Sequence, residues 1–289
     1  MDLLPPIPAL GRRTLVMGIL NVTPDSFSGD GLLKQPDFAA AALGQAERMI
    51  ADGAGILDIG GESTRPGYIP VSADEEIRRT APVIEAIHAR WPDLPISIDT
   101  MKPAVAAAAL EAGACLINDI SGTAVDPAML SLAAARGVYL VVMHNRSEGG
   151  AVTSDARLGN AYQAPVYNDI VADVLRDLRG MAGRAQAAGI APERIILDPG
   201  LGFGKTVAQN LRLMDELDKI KTVGFPVLAG PSRKSFIGRV LDAPPDDRLE
   251  GTAAAVTICT LRGADILRVH DVKAMARVVK MARAIEGRN

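Results

Sequence analysis

Five short apolar runs in this chain stop at, or just before, residues able to bind a polar ligand. Ile96–Ile98 runs into Asp99, Cys115–Ile117 into Asn118 and Ile195–Leu197 into Asp198. Val227–Ala229 leads to Ser232, Arg233 and Lys234, and Ile266–Leu267 to Arg268 and His270. A carboxylate can accept two parallel N–H bonds from a flat heterocycle that carries an amino group beside a ring N–H. An asparagine amide offers a donor and an acceptor in one plane, and a lysine can donate to a ring carbonyl. Asp99, Asn118, Asp198 and Lys234 therefore suit a pyrimidine-like edge. In Arg268-Val269-His270 the alternation of an extended segment puts the two basic side chains on one side. Arginine matches phosphate oxygens with a fork of donors, and histidine adds a donor or a proton, so the pair suits an anion.

Each of these residues also has a plainer explanation. An aspartate after a strand can cap the next helix, and a single Arg or His can sit in a surface ion pair. It is the recurrence of acid and amide stops on successive units that points to a shared site. The segment Glu62-Ser63-Thr64-Arg65-Pro66-Gly67 joins hydroxyl donors to a charged turn and reads either as a loop over the site or as a solvated loop. Asp198–Thr206 ends like a phosphate-binding loop. Only three residues separate Gly200 from Gly204-Lys205, however, where that loop needs four, and the glycines miss the dinucleotide spacing. A tight turn between a strand and a helix explains it better, with Asp198 as its chemically active member.

Three further runs complete the series: Leu15–Leu20 into Asn21, Ile56–Ile59 leading to Glu62 and Thr64, and Val138–Met143 into His144. Between the eight runs lie segments of helical period, at 37–51, 73–90, 103–112, 126–135, 166–188 and 207–220, then a split pair ending at 248–262. A last helix follows Asp271, an expected N-cap. Alternating strands and helices predict parallel pairing, and eight repeats predict a TIM (β/α)8 barrel with its site at the C-terminal ends of the strands. A doubly wound open sheet is the alternative. The chain is expected to form one domain over 1–289, with 1–13 as an N-terminal extension. Residues 21–36, 60–72 and 144–164 are too long for simple turns, and loops of that length in a compact domain are usually functional or disordered.

Composition narrows the function classes. Hydrophobic residues make up 48% of the chain but aromatics only 3%, so the core rests on Ala, Val, Ile and Leu. A formal net charge of -3, with no basic run interleaved with aromatics, argues against nucleic acid as a partner. No apolar stretch approaches the roughly 18 residues of a membrane span, and the acidic, proline-rich start is unlike a signal peptide. The expectation is a cytoplasmic soluble protein with no membrane partner. Cys115 and Cys259 are isolated and are read as small buried hydrophobes.

The ordered blocks MGILNVTPDSFS (17–28), GGESTRPG (60–67), SIDT (97–100), NDISG (118–122), DPGLGFGKT (198–206), GPSRKSFIG (230–238) and RVHDV (268–272) resemble dihydropteroate synthase across nearly the whole chain. That resemblance implies a pterin-binding TIM barrel. Its reaction is the condensation of 6-hydroxymethyl-7,8-dihydropterin diphosphate with p-aminobenzoate to give 7,8-dihydropteroate and diphosphate, in folate biosynthesis. It implies catalytic roles for Asp99, Lys234, Arg268 and His270, and substrate contacts at Thr64, Arg65, Asp99, Asn118, Asp198, Phe203, Ser232, Lys234, Arg268 and His270. It further implies a Mg2+ cofactor at Asn21, sulfonamides as mimics of p-aminobenzoate, and a homodimer formed by outer helices. Phe27, Thr64, Pro66, Phe203 and Ser232 are its candidate contacts to p-aminobenzoate. Asn145 stands where many relatives carry a second Met, and Glu62 and His144 receive no role. A corrinoid-linked pterin methyltransferase domain and an inactive pterin-binding protein are the rival readings.

Overall fold

The computed structural model describes residues 7–23, 38–63, 67, 69–147 and 152–287. Eight parallel strands form the central sheet: β1 (Leu15–Asn21), β2 (Ile56–Gly60), β3 (Ile96–Asp99), β4 (Leu116–Asp119), β5 (Tyr139–Met143), β8 (Ile195–Asp198), β9 (Leu228–Ala229) and β10 (Ile266–Val269). β6 (Val152–Thr153) and β7 (Ala161–Tyr162) form a separate antiparallel hairpin between β5 and β8.

The main sheet runs β8-β5-β4-β3-β2-β1-β10-β9. Pairing of β1 with β10 from Leu15↔Ile266 to Gly18↔Val269 joins the first and last strands. At the other end Leu197 bridges Val227, and its N–H donates to Pro226 O at 2.9 Å. The sheet is thus closed as the barrel expected from the eight repeats, and the open-sheet alternative falls.

The helices are α1 (Phe38–Ala51), α2 (Ala73–Arg90), α3 (Pro103–Glu111), α4 (Pro127–Arg136), α5 (Ile170–Ala187), α6 (Val207–Asp215), α7 (Leu217–Lys221), α8 (Ser235–Leu241), α9 (Leu249–Leu261) and α10 (Val272–Ile285). Pro103 and Pro127 stand in first turns, where their missing N–H leaves no helix bond unmade. Two expectations need correction. The segment 207–220 is broken at Glu216 into α6 and α7. Asp271 does not cap α10 with its side chain, because both carboxylate oxygens are taken by Arg233 Nε (2.9 Å) and Nη2 (2.6 Å).

Period-two alternation sorts the strands into two faces. Leu57, Ile59, Ile96, Ile98, Ile117, Leu140 and Val142 pack outward against the helices. Inside the barrel Leu15, Met17, Ile56, Leu116, Tyr139, Val141, Ile196, Leu228 and Ile266 form a second core. The next inward positions toward the strand C-termini are Asp58, Ser97, Asp99, Asn118, Asp198 and Arg268. One register is therefore apolar at its lower end and polar at its upper end.

Residues 7–13 are more than an extension. Ile7 is buried against the lower barrel core, and its N–H donates to Tyr139 Oη at 3.1 Å. The Arg194 guanidinium lies 4.5 Å from the centre of the Tyr139 ring. Truncating this plug by Ile7→Ala is expected to cost about 2–4 kcal/mol in urea unfolding, as for other buried branched side chains. A loss below about 0.5 kcal/mol would mean that Ile7 is not part of the cooperative core.

Candidate functional site

The upper barrel opens into a cavity of about 840 Å3 whose walls include Asn21, Asp99, Asn118, Asp198, Phe203, Ser232, Lys234, Arg268 and His270. The polar strand ends foreseen from the sequence are thus brought together, on five different strands and on the turns after β8, β9 and β10.

Its centre is an ion cluster. Arg268 donates from Nε to Asp58 Oδ2 and from Nη2 to Asp99 Oδ2, each at 2.6 Å. Asn118 Nδ2 also donates to Asp58 Oδ2, at 3.2 Å. Asp58 was not foreseen. A carboxylate inside the otherwise apolar run Ile-Leu-Asp-Ile was the available signal, since a buried strand tolerates a charge only when it is paired. Arg268 is accordingly not a free anion fork. Two of its nitrogens are committed to carboxylates, and these hold the guanidinium flat across the barrel.

The charges are tuned by this setting. Burial pushes Asp99 up to about 7; Arg268 opposes the shift, and the neighbouring carboxylates Asp58 and Glu76 reinforce it. Burial likewise raises Asp198, against the pull of Lys234 and the Gly200 N–H. Burial lowers Lys234 to about 8, with Asp198 opposing and Arg268 adding to the effect. For Arg268 burial works downward, but Asp58 and Asp99 more than offset it and the group is held charged. Asp99 Oδ1 is buried and has no hydrogen-bond partner among the described residues. A buried acceptor in that state calls for a ligand or water.

The Asp198–Lys205 turn wraps around its own lysine. Lys205 Nζ donates to Gly200 O (2.9 Å), Phe203 O (2.9 Å) and His144 O (3.3 Å). All three ammonium donors thus point inward at carbonyls, which removes the resemblance to a phosphate loop. Gly200 is at φ +67°, and a Cβ there would meet His144 O at 1.9 Å. A Cβ at Gly202 would strike Lys234 Cδ at 2.6 Å. The missing side chains allow the turn to press on β5 and on Lys234 together. Lys234 Nζ donates to Leu201 O and stands 4.2 Å from the centre of the Phe203 ring.

On the far side Ser232 Oγ accepts from His270 N (3.2 Å) and lies 3.1 Å from His270 Nδ1. Arg233, at φ +56°, turns the chain so that Lys234 faces inward while its own guanidinium grips Asp271. Arg248, also unforeseen, ties this turn down by donating from Nη1 to Arg233 O at 2.9 Å.

Glu62 and His144 now have places. Glu62 accepts from Val71 N at 3.2 Å and from Lys102, which also donates to Glu76 at 2.6 Å. This closes the base of the 60–72 loop. His144 is fully buried with its pKa held down near 3, first by burial and then by the Lys205 charge. It is a structural residue whose backbone carbonyl serves Lys205. Asn145 supports the cavity wall by donating to Ile120 O at 2.9 Å. Cys259 is buried and Cys115 partly so, and both are free thiols. Thr64 and Arg65, with Phe27 and Pro66, lie outside the described residues.

A parallel barrel with a buried acid, amide and lysine edge beside Arg and His defines an enzyme site for a polar heterocycle and an anion. Residues 17–270 match the pterin binding enzyme family. The dihydropteroate synthase of Bacillus subtilis strain 168 is 50% identical over 274 residues, covering 95% of this chain and 89% of that protein. Among solved structures, one of dihydropteroate synthase from Clostridium difficile in the presence of pteroic acid has a TM-score of 0.86 and 40% identity. It covers 97% of this chain and 99% of its own. That of Xanthomonas albilineans with 4-aminobenzoic acid has a TM-score of 0.85 and 41% identity, covering 96% and 94%. The chain belongs to the dihydropteroate synthase family of pterin binding enzymes.

The lowered Lys234 pKa sets an alkaline limit on ligand binding. A lysine depressed to about 8 is an ammonium donor below that pH and a neutral amine above it. The advantage in pterin affinity over Lys234→Met should therefore be kept between pH 6 and 7 and be lost above about pH 8, whatever Asp99, raised to about 7, contributes to both profiles. Calorimetry across pH 6–10 with Lys234→Met as reference checks this. Parallel pH profiles for parent and variant would remove Lys234 from the pterin edge.

Proposed function

We propose that the protein condenses 6-hydroxymethyl-7,8-dihydropterin diphosphate with p-aminobenzoate to give 7,8-dihydropteroate and diphosphate. The observation that carries this reading is the set Asp99, Asn118, Asp198 and Lys234 on one wall of the cavity, beside Arg268 and His270. Asp198 accepts the paired ring donors of the pterin, Asn118 reads its neighbouring edge, and Lys234 donates to the ring oxygen. Asn118 is oriented for this by its bond to Asp58.

The amine nitrogen of p-aminobenzoate forms a bond to the exocyclic methylene carbon, the carbon–oxygen bond to diphosphate breaks, and the amine gives up a proton. The dihydropterin ring is electron-rich and spreads positive charge from that carbon, which favours departure of diphosphate ahead of attack. The Asp99 carboxylate, fixed by Arg268, stabilises that charge electrostatically. Arg268 and His270 face the leaving group. No covalent nucleophile is needed.

A Mg2+ ion fits the donor set at Asn21 only as a shared ion. Among the described residues no three His, Cys, Asp or Glu side chains gather into a metal cage. This suits a cation that keeps waters and takes oxygens from a substrate phosphate. Bound beside the Asn21 amide oxygen, it would neutralise charge on diphosphate.

The proposal extends to a cytoplasmic homodimer. Two free cysteines suit a reducing compartment, and among the described residues no helix is long and apolar enough to cross a membrane. Leu241 of α8 and Leu249, Ile258 and Leu261 of α9 are exposed on the outer layer and supply apolar surface for a second copy. Sedimentation should return twice the chain mass; the mass of a single chain would overturn the dimer.

The direct test of function is diphosphate release and formation of 7,8-dihydropteroate with both substrates and Mg2+, and neither without p-aminobenzoate. Release that does not depend on p-aminobenzoate would point to a hydrolase instead. Asp198→Ala should weaken pterin binding by roughly 10- to 100-fold, the range for a lost charged hydrogen bond. Calorimetric affinity within twofold of the parent would reject its role.

A further inference from the structure

The hairpin of β6 and β7 is the part of the cavity wall for which no role has yet been given. Asp155, Arg157, Leu158, Gly159, Asn160 and Tyr162 all line the opening. Tyr162 packs on a small apolar cluster of Ile120, Met143 and Phe203 at the cavity floor. Its ring is stacked with Phe203 at 5.9 Å between centroids and 23° between planes. Phe203 is the ring against which Lys234 Nζ also lies. Tyr162 therefore adjoins the boundary between the polar heterocycle edge and the open half of the cavity.

The hairpin is clamped rather than merely resting there. At its tip Asp155 Oδ1 accepts from the N–H groups of Arg157 (2.9 Å) and Leu158 (2.7 Å). Arg157 Nη1 donates to Asp242 O at 2.9 Å. Arg248 Nη2 donates to Leu158 O at 2.7 Å while its Nη1 holds Arg233 O. One buried guanidinium thus joins the hairpin tip to the turn that carries Ser232 and Lys234. On its other side the hairpin meets the 60–72 loop, where a Cβ at Gly67 would stand 3.4 Å from Asn160 Nδ2.

We propose that this hairpin is the selectivity wall of the chamber for the second substrate. Tyr162 acts as a positioning residue that holds Phe203 in place, so that the chamber admits a flat aryl amine beside the bound heterocycle. The clamp through Arg248 keeps the wall in register with Ser232 and Lys234. The inference rests on the condensation proposed above, and it adds a residue and an element that the sequence blocks of the family resemblance do not contain. Tyr162 is partly buried against this cluster and supplies an aromatic face to it, so removing the ring should widen the chamber without touching the heterocycle edge.

The test is steady-state diphosphate release by the full chain, with Tyr162→Ala and Tyr162→Phe beside the parent. Tyr162→Ala is expected to raise the KM for p-aminobenzoate at least fivefold with kcat changed less than threefold. Calorimetric affinity for the pterin diphosphate should stay within twofold. Tyr162→Phe keeps the ring and should restore KM to within twofold of the parent. If Tyr162→Ala does not fold, Tyr162→Leu retains apolar bulk without a ring and carries the same expectation. An unchanged KM in a parent that turns over would overturn the wall alone. A lowered KM would overturn it too, by showing that Tyr162 obstructs the chamber. A parent that releases no diphosphate would remove the condensation itself and the wall with it.

Discussion

A largely shielded guanidinium held between two buried carboxylates is the constraint on which the rest of this barrel depends. Arg268 bridges Asp58 on β2 and Asp99 on β3, and β10 and β2 are the strands on either side of β1. Losing one partner of such a cluster would leave a charge stranded in the interior, at a cost of about 3–5 kcal/mol. The cluster is also poised for a ligand. Burial raises Asp99 toward neutrality against the pull of Arg268, with Asp58 and Glu76 adding to the rise, and its Oδ1 has no hydrogen-bond partner among the described residues. A polar heterocycle can supply what the protein leaves unmet.

Around this centre the inner register divides the barrel by height. Aliphatic side chains and Tyr139 fill the lower half, closed from below by Ile7. The polar half begins one inward position higher. This is why the polar wall of the cavity needs no loops of its own to be fixed: Asp99, Asn118, Asp198 and Arg268 are strand residues held by ladder hydrogen bonds. The turns add what the strands do not reach, namely Lys234, Ser232 and Phe203. They are held by internal devices such as the three carbonyls around Lys205.

Two peripheral clusters tie the rim of the cavity to the barrel. Lys102 with Glu62 and Glu76 closes the base of the 60–72 loop. Arg248 joins the hairpin to the Ser232–Lys234 turn. Both use a cation from one unit to bind acceptors on others, so the order of the rim follows from a few side chains of low exposure rather than from the loop sequences themselves.

The sequence by itself determined the class of fold and the polar strand ends, because apolar runs of strand length and helical periods between them are local properties. Asp99, Asn118, Asp198, Lys234 and His270 were legible for the same reason. The first three end an apolar run where burial alone would favour an aliphatic residue, and Lys234 and His270 stand in the turns that follow such runs. Closure by β1 with β10 was decided only in three dimensions, since pairing of strands about 250 residues apart leaves no local trace. So was the work of Asp58 and Arg248, whose partners lie on other units, and of Lys205, which joins carbonyls of its own turn to that of His144. Arg268 shows the division within one residue. Its type and position mark a site, but only the approach of two distant carboxylates turns an expected anion fork into the pivot of the barrel.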